Sequence, residues 1–316
     1  SRYAVPPFAF PVCAGEAAEG AHHFFRGELM AKLRIVTDST ADIPESVRKQ
    51  LGIEMVPLKV HFGDETYLDS VTLHSVEFYE KLKQSSSLPT SSQPSPVDFL
   101  DVYKRILAED PDAHIVSIHI SSAMSGTLQS AELAKSLLDE PDRLTVFDSR
   151  SASYGIGMLA VAAAELAAKG ASLEEVLEKI RRMREKYTVY FLVDTLEYLQ
   201  KGGRIGKAAA VLGTLLNIKP ILSIDAEGEV TSVDKVRGTK KAVQRIIELF
   251  KQNPDLSGEV DVFIVHSNDV PAAENMEAVL RENFNVRRLN MITLGPVIGT
   301  HTGPGTVGVF VGPYEQ

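Results

Sequence analysis

Ser121-Ser122-Ala123-Met124-Ser125-Gly126-Thr127 places hydroxyls and a glycine between an apolar run, His114 to Ile120, and a helix-patterned run, Leu128 to Leu138. Strand, Ser/Gly turn and helix together aim free backbone N–H groups and hydroxyls at one point. Such a helix start attracts anions, because its first N–H groups lack partners and the helix dipole is positive there. Plain N-capping by Ser122 or Ser125 would look the same in sequence. A second candidate is His301, flanked by Thr300 and Thr302 in the Gly- and Pro-rich segment 295–308. A histidine there can donate to an anion or act as a base.

Ser122 and His301 could pair as nucleophile and base, which would make the chain a small-molecule hydrolase or transferase. Against this, there is no Gly-x-Ser-x-Gly elbow, and no acidic partner stands near His301 in sequence. The chain also lacks a Gly-x-x-x-x-Gly-Lys-Ser/Thr loop and a Gly-x-Gly-x-x-Gly after its first strand, so a nucleotide site is not indicated. Its eight histidines show no zinc-type spacing, and no metal site is expected. Lys201-Gly202-Gly203-Arg204 reads either as a solvated turn or as a turn offering an arginine to a partner.

The elements that would carry these groups alternate. Strand-like runs at 33–38, 114–120 and 144–149 end in polar residues and alternate with helical patterns at 45–51, 97–108, 154–169 and 173–187. That alternation predicts a parallel sheet with helices on both faces. Ligands in such sheets sit beyond the carboxyl ends of the strands, where Asp38-Ser39, Ser121-Ser122 and Asp148-Ser149 all lie. Residues 54–62 read as one extended run, and the Ser- and Pro-rich stretch 85–96 as a loop opening a helix at Ser95-Pro96. After Tyr187 the pattern changes to a hairpin across 225–228, an apolar helix near 208–216, and strands at 260–266 and 286–294.

The expected fold class is therefore α/β with two domains. Residues 30–186 form an N-terminal three-layer α/β/α parallel-sheet domain, and residues 187–316 a C-terminal mixed-sheet α/β domain. Residues 1–29 are unpatterned and contain Pro6-Pro7 and His22-His23; they are expected to be an appended or poorly ordered leader. A net charge of −9 argues against nucleic acid as a partner. No apolar run approaches the ~20 residues that span a bilayer. The one cysteine, Cys13, rules out an intrachain disulfide and fits a reducing cytoplasm.

Several stretches, in order, resemble the DegV family of fatty-acid-binding proteins. They are Val36-Thr-Asp-Ser-Thr-Ala-Asp-Ile43, Thr90-Ser-Ser-Gln-Pro94, Ser121-Ser-Ala-Met-Ser-Gly-Thr127, Val146-Phe-Asp-Ser149, Leu196-Glu-Tyr-Leu-Gln-Lys-Gly-Gly-Arg-Ile205 and Gly299-Thr-His-Thr-Gly-Pro-Gly305. The resemblance runs from Met30 to the C-terminus. It implies a long-chain fatty acid such as palmitate, stearate or oleate, held between two domains. The carboxylate would meet the hydroxyls of Thr90 and Ser122, with His301, Ser91 and Ser121 nearby. It further implies a carrier without chemistry or cofactor of its own, which presents the carboxylate to the ATP-binding subunit of a fatty acid kinase. Arg204 would contact that partner.

Overall fold

A computed structural model describes residues 32–215 and 217–316. The expected leader at 1–29 lies outside the described residues. The strands, in chain order, are β1 Leu33–Asp38, β2 Glu54–Val56, β3 Lys59–Phe62, β4 Glu65–Leu68, β5 Thr90–Ser92, β6 His114–His119, β7 Leu144–Asp148, β8 Thr188–Leu192, β9 Ile218–Ile224, β10 Val230–Arg237, β11 Glu259–His266, β12 Asn285–Thr293 and β13 Val307–Pro313.

β2-β1-β6-β7 form a four-stranded, all-parallel sheet. Its strands are apolar on both faces, as burial under two helical layers requires. Ile35 and Val116 face the helices Tyr154–Ala168 and Leu173–Lys186, while their neighbours Val36 and Ile115 face Pro96–Glu109 and Thr127–Ser136. Ser95 and Ser172 open their helices with capping boxes, in which each serine accepts an N3 amide and the N3 carboxylate accepts its backbone N–H. The first half is thus the three-layer α/β/α arrangement.

β10-β9-β8-β13-β11-β12 form a mixed sheet, antiparallel except for β11 with β12. One face carries the helices Thr239–Lys251 and Val270–Asn283 over Val260, Val262, Ile264, Val309 and Val311. The other face turns Val189, Phe263, Val265 and Phe310 into the core that also holds Ile118, Ile156 and Leu159 of the first half. The two sheets therefore share one apolar core. A small antiparallel sheet, β4-β3-β5, lies beside them.

Some elements differ from the sequence expectation. The run 54–62 is two strands in different sheets, because Pro57 lacks the N–H that a continuous ladder needs. The helix expected near 208–216 is a 3-10 stretch, Gly206–Val211, followed by extended Leu212 and Gly213 at φ +74°; Leu216 lies outside the described residues. The segment after Gly295 is no simple loop. It forms the helix Pro296–Thr302, with proline at its first turn and Gly303 at φ +79° ending it, and then β13.

That short helix carries His301, and two carboxyls, the half-buried Asp42 and the fully buried Asp69, lie at its start. Asp42 accepts the Gly295 N–H at 3.1 Å and the Ser153 hydroxyl at 2.6 Å. Ser70 donates to Asp69 Oδ1 at 3.3 Å, while Asp69 Oδ2 has no partner among the described residues. Burial pushes the Asp69 carboxyl up from its ordinary 3.8 to about 7, and burial together with Asp69 raises Asp42 well above the usual range. The native state thus keeps a proton that the unfolded chain releases. Its stabilising effect is complete below about pH 4 and is lost as pH rises through about 7. Denaturant unfolding at a series of pH values is expected to show stability falling across that window, and Asp69→Asn is expected to flatten the fall.

Candidate functional site

A cavity lies between the two sheets. Its walls are mostly apolar. Ile120, Met124 and Ala152 come from the loops after β6 and β7; Val189, Phe191 and Phe310 come from β8 and β13; Val297 and Ile298 come from the short helix. The polar lining includes Ser91, Ser125, Arg204, His301 and Thr302.

Ser91 Oγ lies 2.6 Å from His301 Nε2. His301 Nδ1 is buried and has no partner among the described residues. Burial, reinforced by the Arg204 guanidinium, pushes the His301 ring down to about 4, so the ring is neutral at physiological pH. The turn Lys201–Arg204 packs against the ring because residue 202 is glycine: a Cβ there would sit 2.4 Å from Nδ1. Arg204 donates from Nε to the Met124 carbonyl at 3.0 Å and from Nη1 to the Gly202 carbonyl at 2.7 Å. Two of its three nitrogens thus fix the guanidinium at the cavity wall.

The candidate residues divide. Ser91, His301 and Arg204 line the cavity together; Thr90, Ser121 and Ser122 are not among its lining residues. Side chains alternate along a strand, so Thr90 and Ser91 on β5 cannot face the same side, and Thr90 is exposed. Ser121 is fully buried and donates to the Gly228 carbonyl at 2.7 Å. Ser122 is exposed and donates to Asp148 Oδ2 at 2.7 Å. The Ser122–His301 pair considered from sequence is therefore not formed, since each residue is bonded elsewhere. The helix after this loop starts at Gly126 without a side-chain cap; Ser125 Oγ instead accepts the Thr127 N–H at 3.2 Å.

The apolar lining escaped sequence reasoning, because it is drawn from separate elements whose only local signal is ordinary strand or helix hydrophobicity. Ser125 had a signal, as it stands in the same Ser/Gly turn as Ser121 and Ser122. The run Val309-Phe310-Val311 reads as apolar, but it follows a stretch so rich in glycine that its strand character is diluted.

Asp38 holds the floor beneath this loop. Its carboxylate accepts the Thr40 N–H at 2.9 Å, the Ile120 N–H at 3.2 Å and the Thr40 hydroxyl, and it lies 2.9 Å from His119 Nδ1. His119 Nε2 continues to Ser117 Oγ at 2.5 Å, and Ser117 to Tyr103 Oη at 2.6 Å. Asp, His and Ser in sequence invite comparison with a hydrolytic triad. However, Ser117, His119 and Asp38 are each 0% exposed and none lines the cavity, so the chain of bonds is structural.

Among the described residues, no cluster of acidic residues, histidines and cysteines could hold a metal ion, and no helix is long and apolar enough to cross a membrane.

Comparison with known proteins agrees with this architecture. A DegV domain-containing protein of Caldanaerobacter subterraneus is 38% identical over 281 residues, covering 89% of this chain and 99% of that protein. A DegV family protein from Thermus thermophilus, whose structure is described as fatty acid binding, is 41% identical; it covers 90% of this chain and 100% of its own, with a TM-score of 0.83. DegV from Bacillus subtilis, described as a fatty acid binding protein, is 35% identical over 90% of this chain and 100% of its own, with a TM-score of 0.79. Residues 32–313 match the family described as "Uncharacterised protein, DegV family", and the chain belongs to that family.

Proposed function

We propose that this protein binds a long-chain fatty acid in the cavity between its sheets and presents the carboxylate to a separate fatty acid kinase subunit. The observation that carries this is an apolar cavity with Ser91, His301 and Arg204 gathered in its wall. The fatty-acid-binding relatives from Thermus thermophilus and Bacillus subtilis support it. Burying ~14 methylenes at ~0.8 kcal/mol each gives ~11 kcal/mol gross, before association and ordering costs. The tail sets affinity, and the polar cluster orients the head.

A buried carboxylate needs a charge partner and donors. Arg204 is the one charged residue among those lining the cavity. The neutral His301 ring has no acceptor at Nδ1, so its proton costs least on Nε2, donating to Ser91 Oγ. The Ser91 hydroxyl proton is then free to point at the carboxylate. Lys201 and Gly203 are exposed next to Arg204, so the head-group end is also where a kinase subunit would approach.

On this reading the protein acts in the cytoplasm, uses no cofactor and performs no chemistry itself. A hydrolase built on His301 has little support. Nothing orients Nδ1, and a ring held near 4 is a weak base at neutral pH.

A neutral His301 predicts fatty acid affinity without an inflection near pH 6.5, and NMR titration of the His301 ring should give a midpoint near 4. Because the folded pKa is depressed, this group's contribution to folding stability is present above about 6.5 and is lost as pH falls towards about 4. Reconstitution tests the carrier role: protein loaded with labelled palmitate, kinase subunit and Mg-ATP are incubated, and acyl phosphate is trapped with hydroxylamine. Hydroxamate that requires both proteins is expected. Palmitate bound but never phosphorylated, or turnover by this protein alone, would contradict it.

A further inference from the structure

A second cavity shares three wall residues with the first: Val189, Ile224 and Phe310. The strand register explains why these three act together. Val189 on β8 pairs directly with Phe310 on β13. On its other side β8 pairs with β9 through Phe191 and Leu222, which sets Val189 level with Ile224. Residues directly opposite one another in antiparallel strands project to the same face. Ile224, Val189 and Phe310 therefore form a row across the sheet, standing between two spaces.

The two spaces differ in chemistry. Thr306, just before β13, lines the first cavity near its polar cluster, and Phe310 stands four residues further along the chain. Beyond the row the walls carry Ser149, Arg150, Ser151, Arg184 and Asp225. Arg184 lies 4.7 Å over the Phe147 ring and donates to the Asp148 carbonyl at 2.7 Å. Its Nε has no partner, and neither Arg150 nor Arg184 forms an ion pair among the described residues. A hydrocarbon tail passing the row would leave apolar walls for ones that carry four charged side chains, Arg150, Arg184, Glu185 and Asp225. The barrier is steric at Phe310 and chemical behind it.

We propose that Ile224, Val189 and Phe310 are the end-stop of the acyl site and set the longest fatty acid it accepts, with Phe310 the dominant member. This rests on the fatty acid reading above. Phe310 is held rigidly for the task. It is 4% exposed, and the helix Tyr154–Ala168 approaches so closely that a Cβ on Gly155 would sit 2.7 Å from its ring. Helix packing against this edge of the ring restricts its swing aside for a longer tail.

The test is competitive displacement of a fluorescent fatty acid by palmitate, stearate, arachidate and behenate, with delipidated wild type, Phe310→Ala and Val189→Ala. Each methylene kept within apolar walls is worth about a fourfold gain in affinity. Wild type is expected to gain from lengthening up to a limit and then lose. Phe310→Ala should move that limit to a longer chain and improve the behenate-to-palmitate affinity ratio about tenfold or more. Val189→Ala should move it the same way by about fourfold, and it carries the test if the larger truncation does not fold. Variants that bind palmitate but keep the wild-type length profile would overturn the end-stop. Wild type that binds none of the four acids would instead overturn the fatty acid reading.

Discussion

Replacing Arg204 with methionine is expected to weaken palmitate binding roughly 30-fold, about 2 kcal/mol, with little change in melting temperature. The side chain is half-buried at the cavity wall, and two of its nitrogens already bond to carbonyls of Met124 and Gly202. A carboxylate arriving there gains a charge-assisted bond from a group that has already lost its rotamer freedom. Such bonds contribute ~1.5–3 kcal/mol. Methionine keeps much of the apolar stem and removes the charge. The cost to folding is small, because both carbonyl partners lie in loops that water can reach once the guanidinium is gone. Titration of delipidated protein with a fluorescent fatty acid measures the change, and unaltered affinity would remove Arg204 from the head-group site. The chain contains no tryptophan, so the probe must bring its own fluorophore.

The second large effect is structural and reaches the site through the loop after β6. Asp38→Ala is expected to lower folding stability by about 3–5 kcal/mol. The substitution strands the Thr40 and Ile120 N–H groups and His119 Nδ1 where solvent cannot replace the lost partner. Each buried orphan costs ~1–3 kcal/mol. For a chain of this size that corresponds to a fall in melting temperature of about 10 °C. Ile120 and Met124 line the cavity, so binding should weaken in parallel. Calorimetry with and without palmitate checks both, and a variant that melts within a degree or two of wild type would show that the Asp38 bonds are not stabilising.

Much of the parallel half was legible because its signals are local. Apolar runs ending in Asp-Ser or Ser-Ser marked strand ends, and Ser95 and Ser172 marked helix starts through capping chemistry that involves only the next three residues. The break at Pro57 was not read from the run 54–62; that it separates β2 and β3 into different sheets depends on tertiary pairing. The strand β13 was missed because Gly308 and Gly312 interrupt its apolar pattern, although it lies in the middle of the mixed sheet between β8 and β11.

The site divides along the same line. Residue types that favour a carboxylate could be recognised in the Thr90–Ser92, Ser121–Ser125 and Thr300–Thr302 stretches. Which hydroxyl faces inward could not, because that is a matter of register. One step along β5 separates cavity-lining Ser91 from exposed Thr90. Ser122 is drawn to Asp148, which the strand pattern places at the same end of the sheet without showing that the two side chains bond. Arg204 looked like a surface arginine in a glycine turn, and only folding shows that the turn lies against His301. The cavity itself belongs to no segment, since it exists where the faces of two sheets fail to close on each other.

The space between the sheets is expected to hold a fatty acid. The most direct measurement is to purify the protein, denature it, extract it with organic solvent and identify the extract by mass spectrometry. A long-chain fatty acid such as palmitate, stearate or oleate is expected at near one equivalent per chain. An empty extract, from protein that also fails to take up added fatty acid, would contradict it.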